Sequence, residues 1–454
     1  MAFTIIPSAI RDPFEFYKRL RLTTDNTCIL ESHGEVHPEF SRYTFVGALP
    51  AEILWKAGED AHVTHLLTGK TTKVKSWLEA LDQWSIVGSI ATEPPNPIQT
   101  GVIGYIGYDA RYEFERLQRS IEPDVEMPEI YLVRYDAILV HDRSTGQSQW
   151  AVNSGFERQC RELEQMASRS APSKVRPFIL RSTITPDFSI NGYLESIRKT
   201  TDYIRAGDIF QANITGRFSA QCEGDVIYSY ERLRQITPNP FFALLDFPQP
   251  VISTSPERFF TVRSDRIQTS PIKGTIEREI DGIDQRTALE NSEKDRAENV
   301  MITDLMRNDI GRVCQKDSVQ VETLCGVKRF NDLYHLESTV SGTLKPTTQL
   351  SDLLRAVFPC GSVTGAPKIR AMDIIEELEF VRRGPYAGAI GFFGSGGWID
   401  TSVAIRIAYF HSGRVFFHAG GGIVADSKPD SEYRELLAKA AGIQRSLDSF
   451  VVRT

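Results

Sequence analysis

The chain has 454 residues, of which 41% are hydrophobic and 24% charged, and its formal net charge is −7. This is the composition of a globular protein with an ample core, and the negative charge excludes a general affinity for nucleic acid. No run of about 18 apolar residues predicts a membrane span, and the N-terminus has no basic segment followed by a long apolar one. Six cysteines at irregular spacing predict neither a disulfide framework nor a zinc site. We therefore expect a cytoplasmic protein.

Residues 1–166 are predicted to form mostly β-strands. Segments 43–47 and 130–140 are rich in β-branched and aromatic residues, which favour a pleated sheet. Helices are expected near 12–21 and 74–83. Residues 167–188 are polar and rich in proline and serine, so we predict a linker there.

From residue 189 to 450, strands and helices are mixed without strict alternation. A helix over 191–205 is expected to end at Gly207, because glycine commonly terminates helices. Further helices are predicted near 286–307, 351–357, 367–377 and 429–447. Strands are predicted near 209–220, 241–246, 251–253, 258–263, 319–324, 335–343, 388–394, 402–409 and 414–419. The mixture favours an α+β layered fold over a doubly wound sheet.

Two predicted helices each carry a pair of acidic residues three positions apart. Asp295 and Glu298 form one pair, and Glu432 and Glu435 form the other, with Lys439 one turn further on. Residues three apart share a helix face, and Mg²⁺ needs only one or two protein carboxylates if substrate oxygens complete its shell. The alternative is a solvated helix face with local ion pairs.

Glu257 and Lys273 are candidates for proton transfer and nucleophilic chemistry. Glu257 lies just before an apolar strand, where burial can raise a carboxyl pKa and produce a general acid or base. Lys273 follows a short strand in a turn framed by proline and glycine. A lysine amine that is desolvated or lies beside another cation becomes a nucleophile. A surface turn for Glu257 and a surface salt bridge for Lys273 are the alternatives.

Two further features indicate anion binding. Gly420, Gly421 and Gly422 follow an apolar strand, so their backbone N–H groups could approach a bound anion; a flexible turn is the alternative. Arg406 is a charge within a predicted strand. A substrate carboxylate would give it a bidentate partner, and a salt bridge within the protein is the alternative.

Together these segments resemble the chorismate-utilising enzymes, which include the anthranilate, aminodeoxychorismate, isochorismate and salicylate synthases. The matching segments are Gly207-Asp208-Ile209-Phe210-Gln211, Ser255-Pro256-Glu257-Arg258-Phe259, Pro271-Ile272-Lys273-Gly274-Thr275, Asp295-Arg296-Ala297-Glu298-Asn299, Asp304 to Arg312, His335-Leu336, Gly361 to Lys368 and Gly420 to Glu435. The resemblance implies a large layered domain of β-sheet and helices over 189–450 that binds chorismate. A mostly-β region over 1–166, similar to that of anthranilate synthase component I, would pack against it.

The resemblance also implies roles for these residues. Glu298 and Glu435 are expected to bind Mg²⁺, with Asp295 and Glu432 in support, and the Mg²⁺ would hold the ring carboxylate of chorismate. The groups expected to bind or line the substrate are Arg406, Lys439, Gly420, Gly421, Gly422, Thr275, Thr364 and His335. Glu257 is expected to protonate the departing C4 hydroxyl. Charge stabilisation of this kind is usually the largest catalytic contribution.

Two positions select among the family's reactions. Relatives that add water to the ring carry a lysine base where this chain has Gln211, and an amide cannot take a proton from water. The Pro-Ile-Lys-Gly-Thr segment around Lys273 resembles aminodeoxychorismate synthase component I, in which the lysine amine attacks C2 of the ring. Formation of 4-amino-4-deoxychorismate is therefore expected, with the anthranilate synthase component I reaction as the alternative.

An ammonia-dependent reaction implies a partner. No glutaminase segment is apparent in the sequence, so we expect a separate glutamine amidotransferase subunit to supply ammonia. The product would pass to a lyase and onward to p-aminobenzoate and folate.

A second set of residues resembles the tryptophan pocket of the family. A plain core contact is the alternative. The residues concerned are Glu31, Ser32, Ser41, Tyr43, Pro240 and Phe241.

Overall fold

The computed structural model of the chain describes residues 3–85, 87, 96–169, 175–237, 239–280 and 283–451. Most of its strands pair with antiparallel neighbours. They are Phe3–Ser8 (β1), Thr27–Glu31 (β2), Tyr43–Ala57 (β3), Asp60–His65 (β4), Lys70–Val74 (β5), Gly101–Ile106 (β6), Ile130–Asp142 (β7), Gln147–Asn153 (β8), Ile179–Leu180 (β9), Thr185–Pro186 (β10), Gln211–Glu223 (β11), Phe241–Asp246 (β12), Val251–Ser255 (β13), Arg258–Arg263 (β14), Arg266–Thr269 (β15), Ile272–Glu277 (β16), Glu279–Ile280 (β17), Ile283–Asp284 (β18), Gln320–Phe330 (β19), Leu333–Thr343 (β20), Gly365–Ala366 (β21), Ala389–Gly394 (β22), Trp398–Val403 (β23), Ile407–His411 (β24) and Arg414–Ile423 (β25).

The helices alternate irregularly with these strands. They are Pro13–Leu20 (α1), Trp77–Trp84 (α2), Glu157–Arg169 (α3), Ile190–Ala206 (α4), Ile227–Ile236 (α5), Arg286–Glu290 (α6), Glu293–Gly311 (α7), Leu350–Val357 (α8), Lys368–Leu378 (α9) and Pro429–Asp448 (α10). The α+β class is therefore confirmed. No helix in the described part of the chain is long and apolar enough to cross a membrane.

The main sheet has two arms that meet at β7. One arm runs β7–β6–β22–β23–β14–β15–β20, and the other runs β7–β3–β2–β12–β13–β24–β25–β11. Phe45 of β3 stacks on Phe392 of β22 at 5.0 Å although these strands do not pair. The two arms therefore face each other across a core. Strands from residues 1–166 pair directly with strands from 189–450, since β2 pairs with β12 and β6 with β22.

Two large apolar clusters cover the faces of the sheet. The first lies between the arms and includes side chains of α2, α7 and α8, such as Trp77, Ile302 and Leu354. The second covers the β11–β25 side and is filled by α4, α9 and α10. Each cluster keeps the apolar faces of amphipathic helices out of water, which is the dominant stabilising contribution. Helices α7 and α10 thus have one face in the core and the other available to a site.

Several predicted elements differ from the observed ones. The single helix expected over 286–307 is two helices, because Ser292 accepts a hydrogen bond from Asp295 N–H and caps a new helix at Glu293. The helix expected from residue 74 starts at Trp77, since 70–74 pairs with β4. The predicted linker 167–188 lies partly outside the described residues; its described part contains the end of α3 and the short strands β9 and β10.

The prediction that Arg406 lies within a strand is wrong. The expected strand 402–409 is interrupted between β23 and β24, and Arg406 has a φ of 52°. This left-handed conformation is uncommon for a residue other than glycine. It is held because the Arg406 carbonyl accepts hydrogen bonds from both the N–H and the hydroxyl of Thr254.

Candidate active site

A cavity of about 480 Å³ lies between β11, β16, β25, α7 and α10. It brings together residues that are far apart in the sequence. The predicted site residues that line it are Glu257, Lys273, Thr275, Asp295, Glu298, His335, Arg406, Gly420, Gly422, Glu435 and Lys439. The predicted residues that do not line it are Gln211, Thr364, Gly421 and Glu432.

Glu257 is buried in the turn between β13 and β14. Burial raises the pKa of its carboxyl to about 7, although the charge of Lys273 and hydrogen bonding from Ser362 and the Ile272 backbone oppose this rise. One carboxyl oxygen, Oε1, has no hydrogen-bond partner among the described residues. A carboxyl group with such a pKa can donate or accept a proton near neutral pH.

Lys273 lies in β16, where the pairing with β20 is irregular between Ile272 and Thr275. Gly274 follows with a φ of 80°, and a Cβ there would lie 2.9 Å from the Asp295 carboxyl carbon. The irregularity turns the Lys273 side chain into the cavity. Its charge lowers the pKa of both Glu257 and Glu435, yet its ammonium group makes no hydrogen bond or ion pair within the described structure. A lysine so placed is available to a ligand.

His335 and Arg406 form a second part of the lining. Burial and the Arg406 charge lower the pKa of His335 to about 4, so this imidazole is neutral at pH 7. Its Nδ1 lies 2.9 Å from the Thr275 hydroxyl. Burial also lowers the pKa of Arg406, and no carboxylate in the described ranges pairs with its guanidinium. A buried cation without a partner fits a ligand that brings its own negative charge.

The acidic pairs on α7 and α10 approach the same cavity. The Ser427 hydroxyl donates to Glu432 at 2.7 Å, and the Ser292 hydroxyl to Asp295 at 2.5 Å. Burial and the neighbouring Glu435 charge raise the pKa of Glu432. Burial also acts to raise the pKa of Glu435, but Lys439 outweighs it and the net shift is downward.

The carboxylates fit a magnesium ion in their chemistry, although they do not form a complete cage. Glu298 and Glu435 face one cavity from two helices, and a hard cation prefers such oxygen donors. Within the described chain, no group of three or more His, Cys, Asp or Glu side chains could hold a metal by itself. Substrate oxygens and water would therefore complete the coordination. Lys439 and Lys294 lie 2.7 Å and 3.9 Å from Glu435 and Glu298, respectively.

The three glycines continue strand β25 and do not form a turn. Gly420, Gly421 and Gly422 pair with Thr215, Ile214 and Asn213 of β11. A Cβ at Gly420 would come within 2.5 Å of a carbonyl oxygen, and a Cβ at Gly421 would point at Glu432, Glu435 and Lys439 from 3.4 to 3.7 Å. The missing side chains let the strand pass directly under the carboxylates.

Gln211 and Thr364 are fully buried behind the cavity wall. The side-chain amide of Gln211 has no hydrogen-bond partner within the described residues, and a Cβ at Gly422 would lie 2.7 Å from its Nε2. The Thr364 hydroxyl donates to the Cys360 carbonyl at 3.0 Å. These two residues shape the wall from behind and do not face the cavity.

A smaller cavity of about 60 Å³ lies beside β2 and β12. Five of the six residues assigned to a tryptophan pocket line it: Glu31, Ser32, Tyr43, Pro240 and Phe241. Ser41 does not line it. Its hydroxyl donates to the Glu35 carbonyl and accepts a hydrogen bond from the His37 N–H. The carboxylate of Glu31 accepts hydrogen bonds from Tyr230 and Arg234.

The sequence analysis missed several residues of the active-site cavity. They are Asn213, Lys294, Ser362, Val363, Tyr386 and His418. Lys294 could have been found, because it precedes Glu298 by one helical turn. The others come from strand and turn positions whose orientation depends on pairings distant in sequence.

Comparison with known proteins agrees with this geometry. Residues 50–445 match the family described as chorismate binding enzyme. The chain therefore belongs to the family of chorismate binding enzymes, as the resemblance implied.

Individual relatives show which enzymes of this family the chain resembles. The chain is 37% identical to aminodeoxychorismate synthase component 1 of Escherichia coli over 460 residues, which cover 98% of the chain and 99% of that protein. It is 40% identical to the protein of the same name from Klebsiella aerogenes over 437 residues, covering 94% and 95%. The crystal structure of anthranilate synthase component I from Streptococcus pneumoniae superposes with a TM-score of 0.78 at 30% identity, covering 90% of this chain and 93% of that one.

Proposed function

We propose that the chain is aminodeoxychorismate synthase component I, which converts chorismate and ammonia into 4-amino-4-deoxychorismate. The observation that carries this proposal is Lys273, whose ammonium group has no partner among the described residues and lines the same cavity as the acid Glu257. The names of relatives with 37% and 40% identity support it. Gln211 is an amide buried behind the cavity wall, so this position offers no base to activate water, which supports ammonia as the nucleophile.

The first chemical step uses Lys273 and Glu257 together. Transfer of one proton from the lysine ammonium to the Glu257 carboxylate produces both a free amine and an acid. The amine forms a bond to C2 of the ring, both ring double bonds shift by one position toward C4, and the C4–O bond breaks. Glu257 protonates the departing hydroxyl, which leaves as water. Splitting a difficult substitution through a covalent adduct is a general advantage of nucleophilic catalysis.

The second step reverses the shift. Ammonia forms a bond to C4, both double bonds return to their original positions, and the C2–N bond to Lys273 breaks. The proton lost by the new ammonium group returns to the lysine amine, so the overall change is chorismate plus ammonia to product plus water. Arg406 and Lys439 are placed to bind the substrate carboxylates.

Magnesium fits the same scheme through the chain's own carboxylates. Glu298 and Glu435 would hold it, supported by Asp295 and Glu432, and it would supply positive charge to the ring carboxylate. This charge would help to orient the ring within the cavity that Lys273 also lines.

Product analysis tests the proposal. The purified chain is incubated with chorismate, Mg²⁺ and ammonium, and the products are separated and identified by mass. We expect 4-amino-4-deoxychorismate. Fluorescent anthranilate without any aminodeoxychorismate would instead establish the anthranilate synthase reaction, which the structural similarity to that enzyme keeps as the second candidate.

A separate glutamine amidotransferase is proposed as the ammonia source. The relatives carry the designation component 1, which supports a partner component. The six cysteines are buried and free, which fits a reducing cytoplasm. The chain alone should use ammonium but not glutamine, and glutamine should become a substrate when an amidotransferase subunit is added. Glutamine use by the isolated chain would contradict this partner.

Tryptophan is proposed as the ligand of the smaller cavity. Its lining is largely aromatic and apolar, with the carboxylates of Glu31 and Asp400 at the edge, which suits an apolar ring and an ammonium group. Calorimetric titration with tryptophan tests this, with Phe241→Ala expected to remove the heat signal. Absence of binding by the folded wild-type chain would favour a plain core contact.

A further inference from the structure

One guanidinium group joins two walls of the active-site cavity. Arg383 follows α9, and only 1% of its side chain is exposed. It donates to the Glu379 carboxylate from Nε at 2.9 Å and from Nη2 at 2.7 Å. It also donates from Nη1 to the Val363 carbonyl at 2.8 Å and from Nη2 to the Asn213 carbonyl at 2.6 Å. Val363 and Asn213 both line the cavity.

The surroundings of this group leave it little freedom. Glu379 Oε1 accepts further hydrogen bonds from the N–H and the hydroxyl of Thr215, both at 2.8 Å. The ring of Tyr108 lies 4.3 Å from the Arg383 guanidinium. A buried guanidinium whose Nε, Nη1 and Nη2 all donate hydrogen bonds is held firmly, because any movement would leave a buried charge without its partners. Arg383 therefore fixes the turn 361–363 against strand β11.

That turn carries a hydroxyl beside the catalytic acid. Ser362 precedes Val363 and lines the same cavity as Glu257. Its hydroxyl lies 3.3 Å from the Cys360 thiol and favours the ionised form of Glu257. The other groups facing Glu257 are the Lys273 charge, the Ile272 N–H, the thiol of Cys360 and, more weakly, the Glu337 charge. Ser362 is the one among these that belongs to the turn held by Arg383.

We propose that Arg383 is a positioning residue for the reaction, which holds the Val363 carbonyl against β11 and thereby fixes the Ser362 hydroxyl at Glu257. Lysine cannot replace it, since an ammonium group lacks the planar fork that reaches a carboxylate and two carbonyls at once. The inference rests on the proposed function only in assigning Glu257 as the acid.

The pH dependence of kcat/KM tests the proposal in the full chain. Glu257 must be ionised to take the proton that frees the Lys273 amine, so the rate is constant above the pKa of Glu257 and falls below it. Ser362→Ala removes a hydrogen bond to the ionised form, which raises the pKa and moves this acid limb upward by about half to one pH unit. Arg383→Lys should move the limb in the same direction. The double variant should shift it no further than Ser362→Ala alone.

Arg382→Lys is the matched control. This neighbouring arginine donates to the Ile121 carbonyl at 2.7 Å on the other side of the segment, so its replacement should leave the limb in place. An Arg383→Lys limb that coincides with wild type, or shifts that add in the double variant, would overturn the proposal. An unshifted limb in Ser362→Ala would do the same.

Thr215→Val keeps the proposal testable if Arg383→Lys does not fold. It removes one donor from Glu379 and should give a smaller shift in the same direction, whereas a wild-type limb would contradict the proposal. All variants are followed by consumption of chorismate with ammonium, whichever product forms. Product identity in the wild type decides the proposed function separately.

Discussion

The ammonium group of Lys439 lies 2.7 Å from a carboxyl oxygen of Glu435. It also donates to the Gly420 carbonyl at 3.0 Å. Glu435, which is proposed to bind Mg²⁺, is thus neutralised by Lys439, which is proposed to bind a carboxylate of the substrate. Binding a divalent cation at Glu435 would release Lys439 toward the substrate, because one carboxylate does not hold both equally well.

Replacing either of the two main acidic residues should weaken magnesium binding. We expect Glu298→Gln and Glu435→Gln each to lower the apparent affinity for Mg²⁺ by roughly tenfold or more, as measured by the Mg²⁺ dependence of turnover and by calorimetry. Glu290→Gln is the control, since Glu290 forms an exposed pair with Arg286 on the preceding helix. Unchanged Mg²⁺ dependence in both site variants would remove these residues from the metal site.

Glu257→Gln should abolish the acid limb of the pH profile. The wild-type pKa of about 7 predicts that turnover falls below neutral pH, where the protonated carboxyl can no longer take the proton of Lys273. Glutamine keeps the shape but has no proton to give, so turnover should drop by roughly 10²- to 10⁴-fold at every pH. Steady-state rates between pH 5.5 and 9 measure both effects. A variant that retains the wild-type limb would show that another group titrates.

Lys273 can be tested by two replacements that separate charge from nucleophilicity. Lys273→Ala removes both, whereas Lys273→Arg keeps a cation that does not deprotonate. A nucleophilic role predicts that neither variant forms aminodeoxychorismate. Intact-protein mass spectrometry of the wild type during turnover should detect the chorismate-derived adduct. Wild-type turnover by either variant would exclude the covalent route.

Arg406→Lys should raise KM for chorismate more than it lowers kcat. Lysine keeps the positive charge but loses the second hydrogen bond to a carboxylate, which is worth about 1.5 kcal/mol and so about tenfold in binding. Arg370→Lys serves as the control, because Arg370 is exposed and pairs with Asp208. Initial rates over a range of chorismate concentrations separate the two parameters. An unchanged KM would indicate that Arg406 pairs with a group of the protein, and not with chorismate, when the substrate binds.

Ser292→Ala should destabilise the chain by about 1 kcal/mol through loss of the helix cap of α7. The same hydroxyl donates to Asp295, so the variant should also need more Mg²⁺ for full activity. Thermal unfolding followed by calorimetry checks the first effect. The matched control is Ser431→Ala, which lies exposed in the first turn of α10 and should leave stability almost unchanged.

Local patterns predicted most of the helices and most of the longer strands of residues 189–450, because each depends on residues close in sequence. The start of α10 and the end of α4 follow from Pro429 and Gly207, which act within one turn. The position of Glu257 just before a strand was also apparent, and it lies in the turn between β13 and β14. Lys273 was expected in a turn but lies in β16, whose pairing with β20 its neighbours in sequence do not reveal.

Features that depend on distant pairing were not predictable in the same way. The break at Arg406 is held by Thr254, about 150 residues earlier, whose N–H and hydroxyl both donate to the Arg406 carbonyl. The placement of Gly420 within a strand follows from its pairing with Thr215 of β11. Helices α3 and α5 were missed because their apolar stripes are interrupted by charged residues.

The pairing of β6 with β22 has a consequence for synthesis in the cell. Strand β6 leaves the ribosome with its partner still roughly 290 residues behind. At about 5–20 residues per second, the partner follows only after roughly a quarter of a minute to one minute. During that interval the edge of β6 carries unpaired backbone groups open to other chains. The nascent chain is therefore open to edge-to-edge association until Ala389–Gly394 has been made.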